Sequence, residues 1–157
     1  MTGERLTHLR ADGTAHMVDV SAKEVTSRSA RAEGMVLLSA AAVAALRHGT
    51  VPKGDALGVA RVAGIQAAKR TPELVPLAHP VAVHAVEVDL TVLDEGVRIE
   101  ASVRTADRTG VEMEALTCVS VAALALVDMV KAVDRLATVT DVRVVAKSGG
   151  RSGDWSR

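Results

Sequence analysis

The chain has 157 residues, 48% of them hydrophobic, and its 19 basic and 19 acidic side chains cancel to a formal charge of zero. That length fits one domain with a real core, and the charge balance argues against a general nucleic-acid or membrane surface while leaving a local basic pocket open. With one Trp and no Phe or Tyr, the core has to come from Val, Leu, Ile, Ala and Met, and the lone Cys118 excludes an intrachain disulfide or a cysteine-based metal cluster and fits a reducing compartment.

Residues 1–20 lack periodicity and read as an extended arm or loop. Their polar start, MTGERLTHLRADG, is no signal sequence, and no apolar run is expected to reach the roughly 18 residues that span a bilayer. The expectation is a soluble cytoplasmic protein without a nucleic-acid or membrane partner. Residues 24–38 alternate and predict a strand. Ser39 fits an N-cap and Gly49 a stop, which gives a short helix between them. The turn TVPKG (50–54) displays Lys53. Asp55 caps a second helix that stops before Pro72. Gly58 and Gly64 inside it predict close packing against another backbone, since glycine there otherwise only costs stability.

The loop TPELVPLAHPV carries prolines 72, 76 and 80 and holds His79 extended before Pro80. His79 is either a fixed site imidazole or a plain surface-loop histidine. Residues 81–93 and 97–105 alternate around the turn Asp94-Glu95-Gly96 and predict an antiparallel hairpin with one solvated face. His84 within it reads as a strand histidine.

The stretch 110–134, GVEMEALTCVSVAALALVDMVKAVD, predicts one long helix. Glu112 and Glu114 in its first turn suit the positive end of the dipole. Glu114, Thr117, Val121, Leu124, Asp128 and Lys131 fall within roughly a 100° arc that reads as a polar line with small or apolar residues between, and most of the remaining surface is apolar. Asp128 and Lys131 are therefore either an ion pair at a helix end or an acid/base pair facing a pocket. Residues 139–146 form a last strand. The Gly/Ser-rich tail, 147–157, is either a disordered terminus or an anion cradle beside Lys147 and Arg151.

The order β-α-α-β-β-α-β predicts an α+β fold: a ferredoxin-like, four-stranded, largely antiparallel sheet with helices packed on one face, in a single domain over 1–157. No histidine pair has metal-ligand spacing, so no metal site is expected. GxSxG and the P-loop pattern are both absent.

Four segments, 15–34, 69–80 (KRTPELVPLAHP), 110–134 and 146–155 (AKSGGRSGDW), together resemble the cyclic pyranopterin monophosphate synthases of molybdenum cofactor biosynthesis. The resemblance covers nearly the whole chain. Ala78 departs from the cysteine found there in many members. The resemblance implies an enzyme that rearranges a 3′,8-cyclised dihydro-GTP into a pyranopterin, closes a cyclic phosphate and releases diphosphate. It implies a catalytic Asp128 with Lys53, Lys131 and Lys147, and substrate contacts from Leu77, Ala78, His79, Glu112, Met113 and Glu114. It also implies a homohexamer, a trimer of dimers with sites between subunits. No cofactor is required, although Mg²⁺ can accompany the triphosphate.

Two features of the residues agree. Arg outnumbers Lys 14 to 5, yet three of the five lysines fall on those positions, and lysine, unlike arginine, can exchange its proton near neutral pH. Lys53, Lys147 and Arg151 supply charge for a triphosphate. The alternative is a non-catalytic nucleotide-binding or regulatory module on the same scaffold. A weaker one is a structural oligomer in which Asp128 and Lys131 only register subunits.

Overall fold

Alternation and helix punctuation resolve into nine elements among the described residues. The computed structural model describes residues 8–157, ordered as β1 (Thr26–Leu37), α1 (Ala40–His48), α2 (Ala56–Lys69), α3 (Thr71–Leu74), β2 (Val83–Leu93), β3 (Gly96–Asp107), α4 (Glu112–Val130), β4 (Thr138–Ser148) and β5 (Trp155–Ser156). Of the arm or loop expected over 1–20, residues 1–7 lie outside the described residues, and from His8 the chain folds into a tight turn that bridges Leu9 to Ala15.

The sheet order is β2-β3-β1-β4-β5, with every neighbouring pair antiparallel. Without β5 this is the ferredoxin-like arrangement expected from the element order. The fifth strand corrects the four-strand expectation. The tail is not a free terminus. Gly149 and Gly150 adopt positive φ, the Gly149 N–H donates to Asp154 Oδ1 at 3.0 Å, and Trp155 pairs with Lys147. The loop 72–80 also holds one helical turn, α3, because Pro72 lies at its start, where a missing N–H costs nothing.

One face of the sheet is the core. Ala30, Ala32 and Val36 of β1 and Val97, Ile99, Ala101 and Val103 of β3 are buried, and α4 lies across both strands with α2 packed beside it. The opposite face is solvated, with cross-strand pairs such as Arg143–Glu33 at 2.7 Å and Arg104–Glu87 at 3.2 Å. Small residues let α4 come close. A Cβ on Gly34 would lie 2.7 Å from Val119 Cγ1, and one on Gly64 would lie 2.9 Å from the Cys118 carbonyl oxygen. Gly64 thus makes the backbone approach expected of it. Gly58 does not: its N–H donates to the capping carboxylate of Asp55 at 2.9 Å, and a side chain there would run into that carboxylate.

The long helix is shorter than the expected 110–134. By length and composition, Glu112–Val130 meets the test for a bilayer span, with a mean hydropathy of 1.8, contrary to the sequence expectation. Its position between sheet and α2 accounts for that apolarity, since Ala115, Cys118, Val119, Ala122, Ala123 and Leu126 are fully buried.

Beyond α4 the chain turns at Asp134, which is 8% exposed. Its Oδ2 accepts from the Ser39 N–H at 2.7 Å and its Oδ1 from the Leu136 N–H at 2.9 Å. Ser39 in turn caps α1 through Ala42 at 3.2 Å. One carboxylate therefore joins the exit of α4 to the entry of α1. The Ser39 N–H, followed by that of Leu136, holds the Asp134 carboxyl below the usual carboxylate range. Asp134→Ala should cost about 2–3 kcal/mol in urea denaturation, since hydrogen bonds to charged groups are lost from a buried position. Because the folded-state pKa is depressed, this contribution is present above the unfolded value of about 3.9 and is lost as pH falls through the folded value. The gap between wild type and variant should therefore close on acidification below about pH 4.

Candidate active site

The residues singled out in the sequence fall into two groups, one at each end of α4. Glu114 and Asp128 are 14 positions apart, which is about 21 Å at roughly 1.5 Å per residue.

The first group surrounds the start of α4. A cavity of about 290 Å³ is lined there by Val18, Lys23, Leu77, Ala78, His79, Met113 and Glu114, among others. The proline-rich loop brings in Leu77 to His79, the residues before β1 supply Val18 and Lys23, and α4 supplies the rest. His79 is not a plain surface histidine: its Nε2 lies 2.5 Å from the Val18 carbonyl oxygen. A carbonyl only accepts, so Nε2–H is the donor and the ring is pinned with Nδ1 on its other side. His84 is a strand histidine as expected, its Nδ1 accepting from the Ala106 N–H at 3.4 Å.

Glu114 is 2% exposed. Burial pushes its carboxyl up to about 7; its own backbone N–H opposes this and the neighbouring Glu112 adds to it. This corrects the expected polar line on α4. Glu114 points inward, whereas Met113, Leu124, Asp128 and Lys131 are exposed. A carboxyl pushed up to about 7, in a cavity also lined by a fixed imidazole, can accept or donate a proton to a bound ring.

A polar groove of about 200 Å³ adjoins this cavity and shares Lys23, Thr109 and Gly110 with it. Its remaining lining includes Arg28, Glu112, Lys147, Gly149 and Ser152. Lys147 Nζ is 3.7 Å from Glu112 Oε1 and hydrogen-bonds Ser152 Oγ. The Arg28 Nε–H donates to the Asp107 carbonyl at 3.0 Å, and its guanidinium lies against Gly150. Arg151 joins Lys23 and Arg28 around the next hollow. The β4–β5 hairpin is thus the floor of a cationic groove.

The second group is at the other end of α4. Asp128 Oδ1 is 2.8 Å from Lys131 Nζ, and its Oδ2 is 3.1 Å from Lys53 Nζ, which arrives on the turn before α2. The Lys131 ammonium, followed by that of Lys53, holds the Asp128 carboxyl below its usual range. All three side chains are 42–57% exposed. Asp128 and Lys131 are therefore not set into a buried face as the apolar helix implied. Lys53 also does not join Lys147 and Arg151, so those three cannot form one triphosphate site within a single chain.

Sequence reasoning missed Lys23 and Arg28. Lys23 carried a usable signal, because it is one of only five lysines, and four of the five stand in these two groups. Arg28 carried one too, because it shares the alternation face of the buried Ala30, Ala32 and Val36, where a charge is out of pattern. Among the described residues, no group of three or more His, Cys, Asp or Glu has the proximity to hold a metal ion.

Fold and site define a ferredoxin-like α+β domain in which a cavity holding a buried acid opens onto a groove lined by cationic side chains. Residues 17–150 match the model of the MoaC family, and the chain belongs to that family. It is 63% identical over 154 residues to the cyclic pyranopterin monophosphate synthase of Streptomyces avermitilis, covering 98% of this chain and 91% of the relative. It is 64% identical over 156 residues to that of Nocardioides sp., covering 98% and 96%. It is also 64% identical over 156 residues to that of Streptomyces griseus, covering 99% and 88%.

Burial of Glu114 makes a prediction about stability. Its folded-state pKa lies above its unfolded one, so stability is full below the unfolded value and drains away as pH rises toward about 7. Glu114→Gln removes that loss. Thermal melts at several pH values should show the Glu114→Gln variant gaining on wild type between about pH 5 and 8; a gap independent of pH would mean that the carboxyl titrates normally.

Proposed function

We propose that this chain is a lyase of molybdenum cofactor biosynthesis that converts 3′,8-cyclised dihydro-GTP to cyclic pyranopterin monophosphate with release of diphosphate. The observation that carries the reading is the junction of the acid-lined cavity with the cationic groove. It offers a base-sized compartment next to a phosphate-sized one, in a chain 63–64% identical to relatives named as synthases of that product. The purine ring would enter beside Glu114, His79, Met113, Leu77 and Ala78, and the phosphates would lie along Lys147, Lys23, Arg28 and Arg151. Opening a purine C–N bond and closing a pyran ring both move protons, and Glu114 and the lysines are exchangeable groups suited to that work. Closing the cyclic phosphate requires a sugar oxygen to attack the α-phosphorus while diphosphate leaves, and fixed cations stabilise the charge that develops. No resident cofactor is assigned to the site; Mg²⁺ would arrive with the triphosphate as part of the substrate.

Asp128, Lys131 and Lys53 enter the same reading only from a second subunit. A nucleotide triphosphate is shorter than the about 21 Å between the two ends of α4. Two α4 helices antiparallel across a two-fold axis would set the Glu114 end of one beside the Asp128 end of the other. Exposed apolar residues lie where such a face would be: Met113 and Leu124 on α4, Val59 and Val62 on α2. A homohexamer built as a trimer of dimers, working in the cytoplasm, completes the proposal.

Incubation with the cyclised nucleotide should release diphosphate, whereas a binding or regulatory module would bind it without turnover. Asp128→Ala and Lys131→Ala should each lower turnover by about 10²-fold or more with folding intact. Mixing an inactive Glu114 variant with an inactive Asp128 variant, after dissociation and reassembly, should restore part of the activity. No recovery in demonstrated mixed oligomers would show that sites are not shared.

A further inference from the structure

The cationic groove contains a carboxylate that a phosphate site does not need. Glu112 is the only acidic side chain among the groove's described lining residues, set against Lys23, Arg28 and Lys147. Its Oε1 stands 3.7 Å from the Lys147 ammonium, and both side chains are largely covered, at 32% and 21% exposure. A phosphate oxygen and this carboxylate compete for the same ammonium, and two anions side by side in the groove repel.

The placement of Glu112 is built into the local chain. A side chain on Gly110 would overlap the Glu112 carboxylate, so the glycine leaves the space in which that carboxylate folds back over the backbone. Val111, the N-cap of α4, provides no side-chain cap. The positive end of the helix dipole is thus free to favour an anion in the first turn. In the adjoining hollow, a side chain on Gly150 would overlap the Arg28 guanidinium, so that glycine leaves the guanidinium its place.

We infer that Glu112 is a built-in counter-anion, which occupies Lys147 while the groove is empty, yields it to an arriving polyphosphate, and competes with the diphosphate left behind. The inference rests on the phosphate reading of the groove given above. Physically, the Lys147 ammonium is repelled by the neighbouring Lys23 and Arg28, and Glu112 holds it in position at rest. The same carboxylate limits the affinity for the product, so that diphosphate leaves rather than remaining as a trap.

The test is calorimetric titration of inorganic diphosphate, without nucleotide and without Mg²⁺, into the whole protein and its variants. Glu112→Gln, which keeps size and removes charge, should bind diphosphate about 5- to 10-fold more tightly than wild type, the size expected when one partly covered like charge is removed. Because both charges are partly covered, the gap should narrow only in part as salt rises toward about 0.5 M. Lys147→Ala should weaken binding in both backgrounds. Unchanged or weaker binding by Glu112→Gln would overturn the inference, and would leave Glu112 as a substrate-holding group only. Affinity indifferent to Lys147→Ala would overturn it as well. Because no nucleotide is present, these outcomes are separate from the turnover assay that tests the proposed reaction.

Discussion

The structure depends on how closely α4 approaches the sheet. Its buried side carries Ala115, Cys118, Val119, Ala122 and Leu126, and Gly34 beneath and Gly64 beside it leave no room for a side chain between backbones. In a core with almost no aromatic volume, this contact supplies the dense packing that large rings supply elsewhere. Because α4 is clamped along its length, both of its ends are fixed. One end sets Met113 and Glu114 into the cavity, and the other holds Asp128 and Lys131 outward beside Lys53.

The two ends differ in solvation, and this separates their chemistry. Glu114 is buried and titrates near neutrality, whereas Asp128 is exposed, flanked by two ammonium groups and firmly ionised. Two carboxyls on one helix thus have environments that push them in opposite directions, the pattern expected when one exchanges protons and the other holds charge.

Much of the fold was legible because local and tertiary signals agreed. Ser39, Gly49 and Asp55 punctuated α1 and α2 where the structure places their caps, and alternation placed β1, β2 and β3 to within a few residues. The failures have physical causes. Periodicity continued to Asp134, but the Asp134 carboxylate takes the Ser39 and Leu136 N–H groups, and the helix ends at Val130. The tail resembled a disordered segment by composition, yet its glycines are what let it fold back against Lys147 as a hairpin. At the site, loop and helix motifs marked Leu77 to His79 and Met113 to Glu114. The groove wall contributed by Arg28 lies at the start of β1 on the same face as the buried Ala30 and Ala32, where the apolar run of that face has not yet begun. The burial of Glu114 depended on its position at the edge of the predicted polar arc, where a few degrees of rotation decide between solvent and core.

The scarcity of aromatic residues has an optical consequence. With no Phe or Tyr, and with Trp155 45% exposed on β5 directly across from Lys147, the core of this protein is nearly silent in the near ultraviolet. The single indole is stationed on the hairpin that floors the cationic groove, with the Arg157 guanidinium 5.8 Å from its ring centre. Intrinsic emission therefore registers the state of that hairpin, whereas melting of the core is visible only to a backbone probe such as far-ultraviolet dichroism.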